Sequence, residues 1–374
     1  MRTNTAAWIR SKGARLEVGS APYTPPREDE IVVENRALAV NPIDWIKQTA
    51  GELVFTWIKY PFVLGSDCAG EVVEVGDAVS RFNVGDRVLG HAVGTDPKRN
   101  SAAEGAFQRY AVVLASMAAP IPSDLSYERA AVLPLGLSTA ACGLFQRDHL
   151  ALDHPSLSPK PSGKTLLVWG GSTSVGSNAI QLAVAAGYEV ITTASPKNFE
   201  YVMGLGAVRA FDYRSKTVVE DVIRAFDGKT IAGALAIGAG SADACVDIVH
   251  ACEGNKFVSM ATFPMLFDEP SEGPGARFRV VTMVGRFLWS NVAMWVTSRT
   301  RGIRTKFIFG SSLIHNEIGG VIYEKFLPRA LAEGRFVAAP DPYVVGDGLA
   351  SVQAGLDVQR KGVSATKVVV SLPS

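Results

Sequence analysis

The residues best suited to chemistry lie at 170–176, where Gly170, Gly171 and Gly176 bracket three hydroxyl side chains, Ser172, Thr173 and Ser174. They follow a short apolar run (165–169) and open a stretch (174–186) whose apolar residues Val175, Ala179, Leu182, Ala183 and Ala186 fall at helical spacing. Strand, glycine-rich turn and helix in that order let the backbone approach a pyrophosphate, and the helix offers its unsatisfied N–H groups and positive dipole end to the charge. The segment therefore predicts a dinucleotide-phosphate cradle. Because Thr173 stands at the central glycine position of a strict G-x-G-x-x-G, the Ser172, Thr173 and Ser174 hydroxyls are expected to donate hydrogen bonds in place of close backbone approach.

The end of the next strand (189–193) distinguishes the two nicotinamide cofactors. A ribose 2′-hydroxyl is usually held there by Asp or Glu, whereas a 2′-phosphate is repelled by a carboxylate and needs hydroxyls and cations. The residues present are Ala194, Ser195, Pro196, Lys197 and Asn198, and Glu189 opens the strand at the opposite end. NADP(H) is the expected cofactor. Ser195 and Lys197 are the expected 2′-phosphate ligands, and Tyr213, just past the third strand, is placed to cover the adenosine.

The elements that must position these residues change character along the chain. From residue 7 to about 113, short β runs (31–33, 37–40, 71–75, 87–89) are separated by Gly, Pro and Asp, as in an antiparallel barrel-like region. A Pro/Ser-rich stretch ending at Gly163 reads as an exposed loop, with His149 and His154 as solvated neighbours. Beyond it, strands (165–169, 189–193, 208–211, 232–237, 256–260) alternate with helices (174–186, 198–205, 218–226, 242–250), which implies right-handed βαβ units and a parallel sheet. The last forty residues return to short β runs, notably 367–371, expected to pair back onto the first region.

Composition narrows the function classes. The 374 residues predict about two domains, and 37 Lys and Arg against 36 Asp and Glu give a net charge of +1, without the positive excess that nucleic acid or an acidic membrane requires. No apolar run approaches the ~20 residues of a bilayer span, and no signal-peptide or lipidation pattern is seen. The expectation is a soluble, cytoplasmic protein. Its four cysteines form no C-x-x-C pair and are expected to be buried, reduced thiols.

The segments VNPID (40–44), PFVLGSDCAGEVVEVG (61–76), VGDRV (84–88), GAFQRYAVV (105–113), LPLGLSTA (133–140) and the nucleotide turn resemble the medium-chain dehydrogenase/reductase superfamily over almost the whole chain. The resemblance implies an α/β protein, with a GroES-like β-barrel domain from residues 1–130 and 315–374 and a Rossmann doubly wound parallel-sheet domain from 131–314. The details NPIDW, GGSTSVGSNAIQLA, ASPKNFEY and FDYR are most similar to fungal trans-acting enoyl reductases that work with polyketide synthases in secondary metabolism. In that group the NADPH phosphates are carried by residues that correspond here to Ser172, Thr173, Ser174, Ser195, Lys197, Asn198 and Tyr213. Gly171, Val175 and Ile237, and Val363 and Ser364 before the final strand, complete the expected cofactor set. Lys47, one place later than the family's lysine, is the catalytic candidate.

Zinc alcohol dehydrogenases of the superfamily draw catalytic metal ligands from three places, which here hold Asp44, Gly65-Ser66-Asp67 and Leu135. Serine and leucine are not zinc ligands, so no metal is expected. Without a Lewis acid, hydride transfer to a simple aldehyde loses a term worth several kcal/mol, whereas a conjugated alkene gives a delocalised enolate that hydrogen-bond donors can hold. The expected reaction is NADPH-dependent reduction of an α,β-unsaturated carbonyl, small or carrier-bound, with Leu135, Thr139, Phe263 and Phe267 lining the substrate pocket. A zinc-less quinone or aldehyde reductase, and an NADPH-binding non-redox partner of a biosynthetic assembly, are the alternatives. No motif identifies a proton donor, and His91, His250 and His315 are unplaced.

Overall fold

The computed structural model describes residues 2–262 and 296–373, together with Gly285, Val292 and Met294. They divide into two units, one formed by residues 1–138 and 314–374 and the other by 139–313. Residues 131–138, expected in the second unit, belong to the first, because Leu135 and Ser138 are hydrogen-bonded to its side chains.

The first unit opens with β1 (Asn4–Ile9), β2 (Glu17–Ala21) and β3 (Glu30–Val40). The sequence suggested two short runs where β3 is continuous, since Asn35 and Arg36 interrupt the apolar pattern. The strand survives because the buried Asn35 amide donates to the carbonyls of Ala106 and Gln108, and register shifts flank it. Helix α1 (Pro42–Val54) follows, with Pro42 in its first turn and a capping box between Asn41 and Asp44. Then come β4 (Phe62–Val63), β5 (Asp67–Val75), β6 (Arg87–His91), β7 (Tyr110–Leu114), β8 (Ala118–Pro120), α2 (Tyr127–Ala131) and α3 (Pro134–Phe145).

The second unit alternates β9 (Lys164–Trp169), α4 (Ser174–Ala185), β10 (Glu189–Ala194), α5 (Phe199–Gly204), β11 (Arg209–Asp212), α6 (Val218–Ala225), β12 (Thr230–Ala236), α7 (Ser241–Ala251), β13 (Phe257–Met260) and β14 (Arg304–Phe307). These match the expected elements to within two residues at each end, except β14, which was not anticipated. The parallel sheet runs β11-β10-β9-β12-β13-β14, so the chain leaves β9 in one direction and returns on its other side at β12. That reversal opens a crevice beyond the carboxyl ends of β9 and β12, the place where such sheets bind ligands. Leu167, Ile191, Val222, Ile231, Val246 and Val258 fill the core against the sheet.

The chain then returns to the first unit with α8 (Leu327–Ala332), β15 (Asp341–Asp347), α9 (Val352–Lys361) and β16 (Thr366–Ser371). As expected of 367–371, β16 pairs antiparallel with β3, and the sheet order is β15-β16-β3-β5-β6-β8, with β7 also on β3.

One sequence expectation fails here. His149 is 4% exposed, with its Nδ1 3.2 Å from Ser259 Oγ. The segment after α3 doubles back, Leu150 and Leu152 donating to the carbonyls of Gly143 and Leu144, so the exposed stretch begins only beyond it. His154 is exposed, as expected.

The loop between β6 and β7 is held by charge. Arg99 donates to Glu104 at 2.7 Å and pairs with Glu30, and both carboxylates are almost fully buried. Arg99→Ala is expected to cost about 3 kcal/mol, because two buried anions lose their main counter-charge. Arg99→Lys is expected to recover only part, a single ammonium lacking the guanidinium fork. Urea denaturation midpoints of the two variants check this.

Candidate functional site

In the second unit, the turn after β9 is built from its backbone outward. Gly170 has φ of +89°, a conformation an L side chain rarely adopts, and a Cβ on Gly176 would lie 2.2 Å from the Gly170 carbonyl oxygen. The Gly170 N–H donates to Thr193 Oγ1 at 3.0 Å and the Gly171 N–H to the Thr193 carbonyl at 2.9 Å, which fixes the turn against β10. Thr173 caps α4: its hydroxyl donates to the Gly170 carbonyl at 2.8 Å and accepts from the Gly176 N–H at 3.0 Å. The Thr173 hydroxyl proton is thus engaged within the turn, so the expectation of a phosphate donor is replaced by that of a cap. Ser172, Ser174 and Val175 are partly exposed at the opening of α4, whose first turn carries no acidic residue.

The remaining residues expected at the nucleotide come to the same end of the sheet. Ser195, 9% exposed, follows β10 and starts a 3-10 turn that carries the exposed Lys197 and the buried Asn198. Tyr213 follows β11 at 42% exposure, and Ile237 follows β12, its N–H donating to the Trp169 carbonyl at 3.1 Å. Glu189 sits at the amino end, held by Lys229 and Thr165. Sequence reasoning missed Arg214, whose guanidinium lies 5.1 Å from the Tyr213 ring centroid and donates from Nε to its hydroxyl at 3.1 Å. The signal was present in FDYR, where a second cation follows the tyrosine. Asp212 is turned back onto the Arg214 N–H at 3.0 Å.

In the first unit, Asp67 is fully buried and gathers three partners. Its Oδ1 accepts from the Leu135 N–H at 2.6 Å, and its Oδ2 accepts from Asn41 Nδ2 at 2.8 Å and lies 2.9 Å from Lys367 Nζ. Lys367 also donates to Asn41 Oδ1. None of this was foreseen, although a lysine inside the apolar run TKVVV marks a buried charge that must be paired.

Lys47 is 5% exposed, donates to Thr95 Oγ1 at 2.6 Å and lies 5.4 Å from the Phe55 ring centroid, and burial pulls its pKa down. Burial pushes the Asp44 carboxyl up to about 6, against the pull of Lys47. Asp44 Oδ2 accepts from the Asn41 N–H at 2.9 Å, and Oδ1 is buried without a hydrogen-bond partner, an arrangement that favours the protonated acid. His91, which burial brings down to about 4, pairs through Nδ1 with Ser138 Oγ at 2.9 Å, and Ser138 Oγ lies 2.7 Å from the Tyr323 hydroxyl.

Leu135 is partly exposed, Thr139 is 9% exposed, and Val363 and Ser364 lie in the loop between α9 and β16. Phe263 and Phe267 lie outside the described residues. All four cysteines are buried and free, and burial raises Cys68 and Cys142 to about 12.

Residues 27–123 match the alcohol dehydrogenase GroES-like domain. The dehydrogenase pigH of Monascus ruber is 55% identical over 374 residues, with 100% of each chain covered. The trans-enoyl reductase himH of Aspergillus japonicus is 37% identical over 375 residues, covering 99% of this chain and 97% of its own. This chain belongs to the medium-chain dehydrogenase/reductase superfamily. Its fold is also that of the CurK enoyl reductase crystal structure, with a TM-score of 0.72 at 18% identity over 99% of each chain.

An oxidoreductase of this superfamily implies a nicotinamide nucleotide, and the second unit fits one. The turn at Gly170 and Gly176 has no room for side chains, and α4 opens without an acid to repel phosphate. The superfamily's catalytic zinc fits poorly: of the three ligand places, Leu135 offers a backbone N–H and Asp67 is already bound by Lys367 and Asn41. Among the described residues no group of three His, Cys, Asp or Glu is arranged to hold a metal ion. Nor is any described helix long and apolar enough to cross a membrane.

The raised Asp44 pKa sets a testable pH dependence. A carboxyl whose folded pKa lies near 6 rather than 3.8 stabilises the fold fully only below about pH 4, and that contribution is lost as pH rises toward 6. Asp44→Asn can keep the cap on the Asn41 N–H, so wild-type stability should fall relative to the variant as pH is raised through this window. Urea midpoints of both proteins at each pH measure the difference.

Proposed function

We propose that this protein is an NADPH-dependent, metal-independent reductase of the C=C bond of an α,β-unsaturated carbonyl, an enoyl thioester or a related biosynthetic intermediate. The observation that carries the reading is the cluster at the carboxyl ends of β10 and β11. Ser195, Lys197, Tyr213 and Arg214 supply hydroxyls and two cations there, and no acid stands at the end of β10. Such a cluster suits a 2′-phosphate and offers little to a bare ribose hydroxyl. The Ser172 hydroxyl and the opening amides of α4 would hold the pyrophosphate, Thr173 and Gly171 would keep the turn in shape, and Asn198 and Ile237 would border the nucleotide. Val363 and Ser364 from the first unit are proposed as further contacts.

When bound, the reduced nicotinamide supplies a hydride. A conjugated alkene accepts it without a Lewis acid because the charge spreads onto the carbonyl oxygen, where hydrogen-bond donors suffice. The prior commitment of Asp67 to Lys367 supports a metal-free site. Lys47 is proposed to act beside the cofactor, with Leu135, Thr139, Phe263 and Phe267 in the substrate pocket. The 37% identity to the trans-enoyl reductase himH supports an enoyl group as the reactive part of the substrate, and an acyl chain presented by a polyketide synthase is proposed as one form of it.

Absorbance at the NADPH band tests the proposal with metal-free protein and a panel of enoyl thioesters, quinones and aldehydes. Turnover of an enoyl thioester that persists in chelator is the expected result. Tight NADPH binding without oxidation by any acceptor would replace the proposal with a non-redox role, and loss of turnover on chelation would overturn its metal-free part. For cofactor choice, Lys197→Ala and Arg214→Ala should each weaken NADPH binding by about tenfold or more, the usual worth of a charge-assisted hydrogen bond. NADH binding, titrated in parallel, should not change.

A further inference from the structure

A dinucleotide that carries a 2′-phosphate must be gripped at two places at once, the pyrophosphate at the turn before α4 and the 2′-phosphate beyond β10. Within the second unit one side chain joins these places. The Tyr201 hydroxyl, on α5, lies 2.8 Å from Oγ of Ser177, near the start of α4. Ser177 is fully buried, and its Oγ is also 2.8 Å from the Thr173 carbonyl oxygen and 3.3 Å from that of Gly171. A serine hydroxyl has one proton and a carbonyl can only accept, so Ser177 donates to the turn and Tyr201 donates to Ser177.

The Ser177 hydroxyl bears on the amides of the turn because a trans peptide directs its C=O and its N–H to opposite sides. Holding the Gly171 and Thr173 carbonyls inward turns the N–H groups of Ser172 and Ser174 away from the buried side. At the other end of the link, α5 begins directly after the 3-10 turn Pro196–Asn198 that carries Lys197, and the Asn198 N–H closes that turn on the Ser195 carbonyl at 2.8 Å. Whatever fixes Ser195 and Lys197 therefore fixes the start of α5, and Tyr201 lies about one helical turn beyond Lys197. The glycine turn is tied separately to β10 through Thr193, so loss of the tyrosine hydroxyl leaves it that support.

We infer that Tyr201 is a positioning residue that couples recognition of the 2′-phosphate to the hold on the pyrophosphate, an inference that rests on the NADPH reading above. A ligand bonded to Ser195 and Lys197 orders the first turn of α5, the tyrosine hydroxyl then fixes Ser177, and Ser177 fixes the amides of the glycine turn. A nucleotide without the 2′-phosphate does not engage the first link of this chain. The two grips thus strengthen each other, and Tyr201 acts through Ser177 rather than by contact with the nucleotide.

Calorimetric titration of the full chain with NADP+ and with NAD+ tests this. The wild type should bind NADP+ the more tightly. Tyr201→Phe should weaken NADP+ binding by about fivefold, the usual worth of one neutral hydrogen bond, and leave NAD+ binding within about twofold of the wild type. A role confined to supporting the turn would weaken both alike, since both nucleotides carry the pyrophosphate. Lys197→Ala should cost about tenfold in NADP+ binding in the wild type but only about twofold in the Tyr201→Phe background, because coupled residues do not contribute independently. Ser177→Ala supplies that background if Tyr201→Phe does not fold. Unchanged NADP+ binding in folded Tyr201→Phe, equal losses for the two nucleotides, or a Lys197→Ala loss that is the same in both backgrounds overturns the role of Tyr201. A wild type that binds NAD+ as tightly as NADP+ overturns instead the cofactor reading on which it rests.

Discussion

The first unit depends on one buried ionic knot. Asp67 at the start of β5 binds Lys367 of β16, Asn41 at the junction of β3 and α1, and the Leu135 N–H in the first turn of α3. Four segments far apart in sequence meet at one carboxylate. A charge so enclosed is tolerated only when all its partners are in place, since the cost of taking it out of water is recovered only by good geometry and full hydrogen bonding. The knot therefore fixes the register of β16 on β3 and the point where α3 begins, and Lys47 and Asp44 lie on the helix it anchors.

The second unit reaches order by other means. Its core is packed from apolar side chains such as Leu167, Ile191 and Val258, and the glycine turn lies beyond the carboxyl end of β9. There the glycine turn is braced by Thr193 and Thr173, so that the amides and hydroxyls at the opening of α4 are held in a fixed arrangement. The two units thus differ in what their polar groups do. In one they brace a glycine turn, and in the other they include enclosed titratable groups, Asp44, Lys47 and His91, that burial shifts.

Local patterns made the second unit legible in the sequence. The strand, turn and helix around 165–186 carry their own periodicity and glycine placement, and the alternation that follows repeats over short intervals. The first unit was legible only in outline, because what organises it acts over long separations. Lys367 and Asn41 are 326 positions apart, and nothing near either residue announces the other. His149 was misread for a similar reason: the polar stretch after it suggested solvent, whereas the backbone at Leu150 and Leu152 folds back onto α3 and encloses the ring. Arg214 is hard to read in the sequence for another reason: a cation in an exposed loop reads as ordinary surface charge, and only the fold shows its guanidinium against the Tyr213 ring.

Closure of the first unit by β16 has a consequence for how the protein is made. A ribosome releases the second unit, a continuous stretch, before the strand that carries Lys367 exists outside the exit tunnel. During that interval Asp67 and Asn41 have no ammonium to enclose, and β3 lacks its β16 neighbour. The inserted unit is then free to fold first and to hold the two flanking pieces of chain near each other, so that the later strand has only a short distance to search.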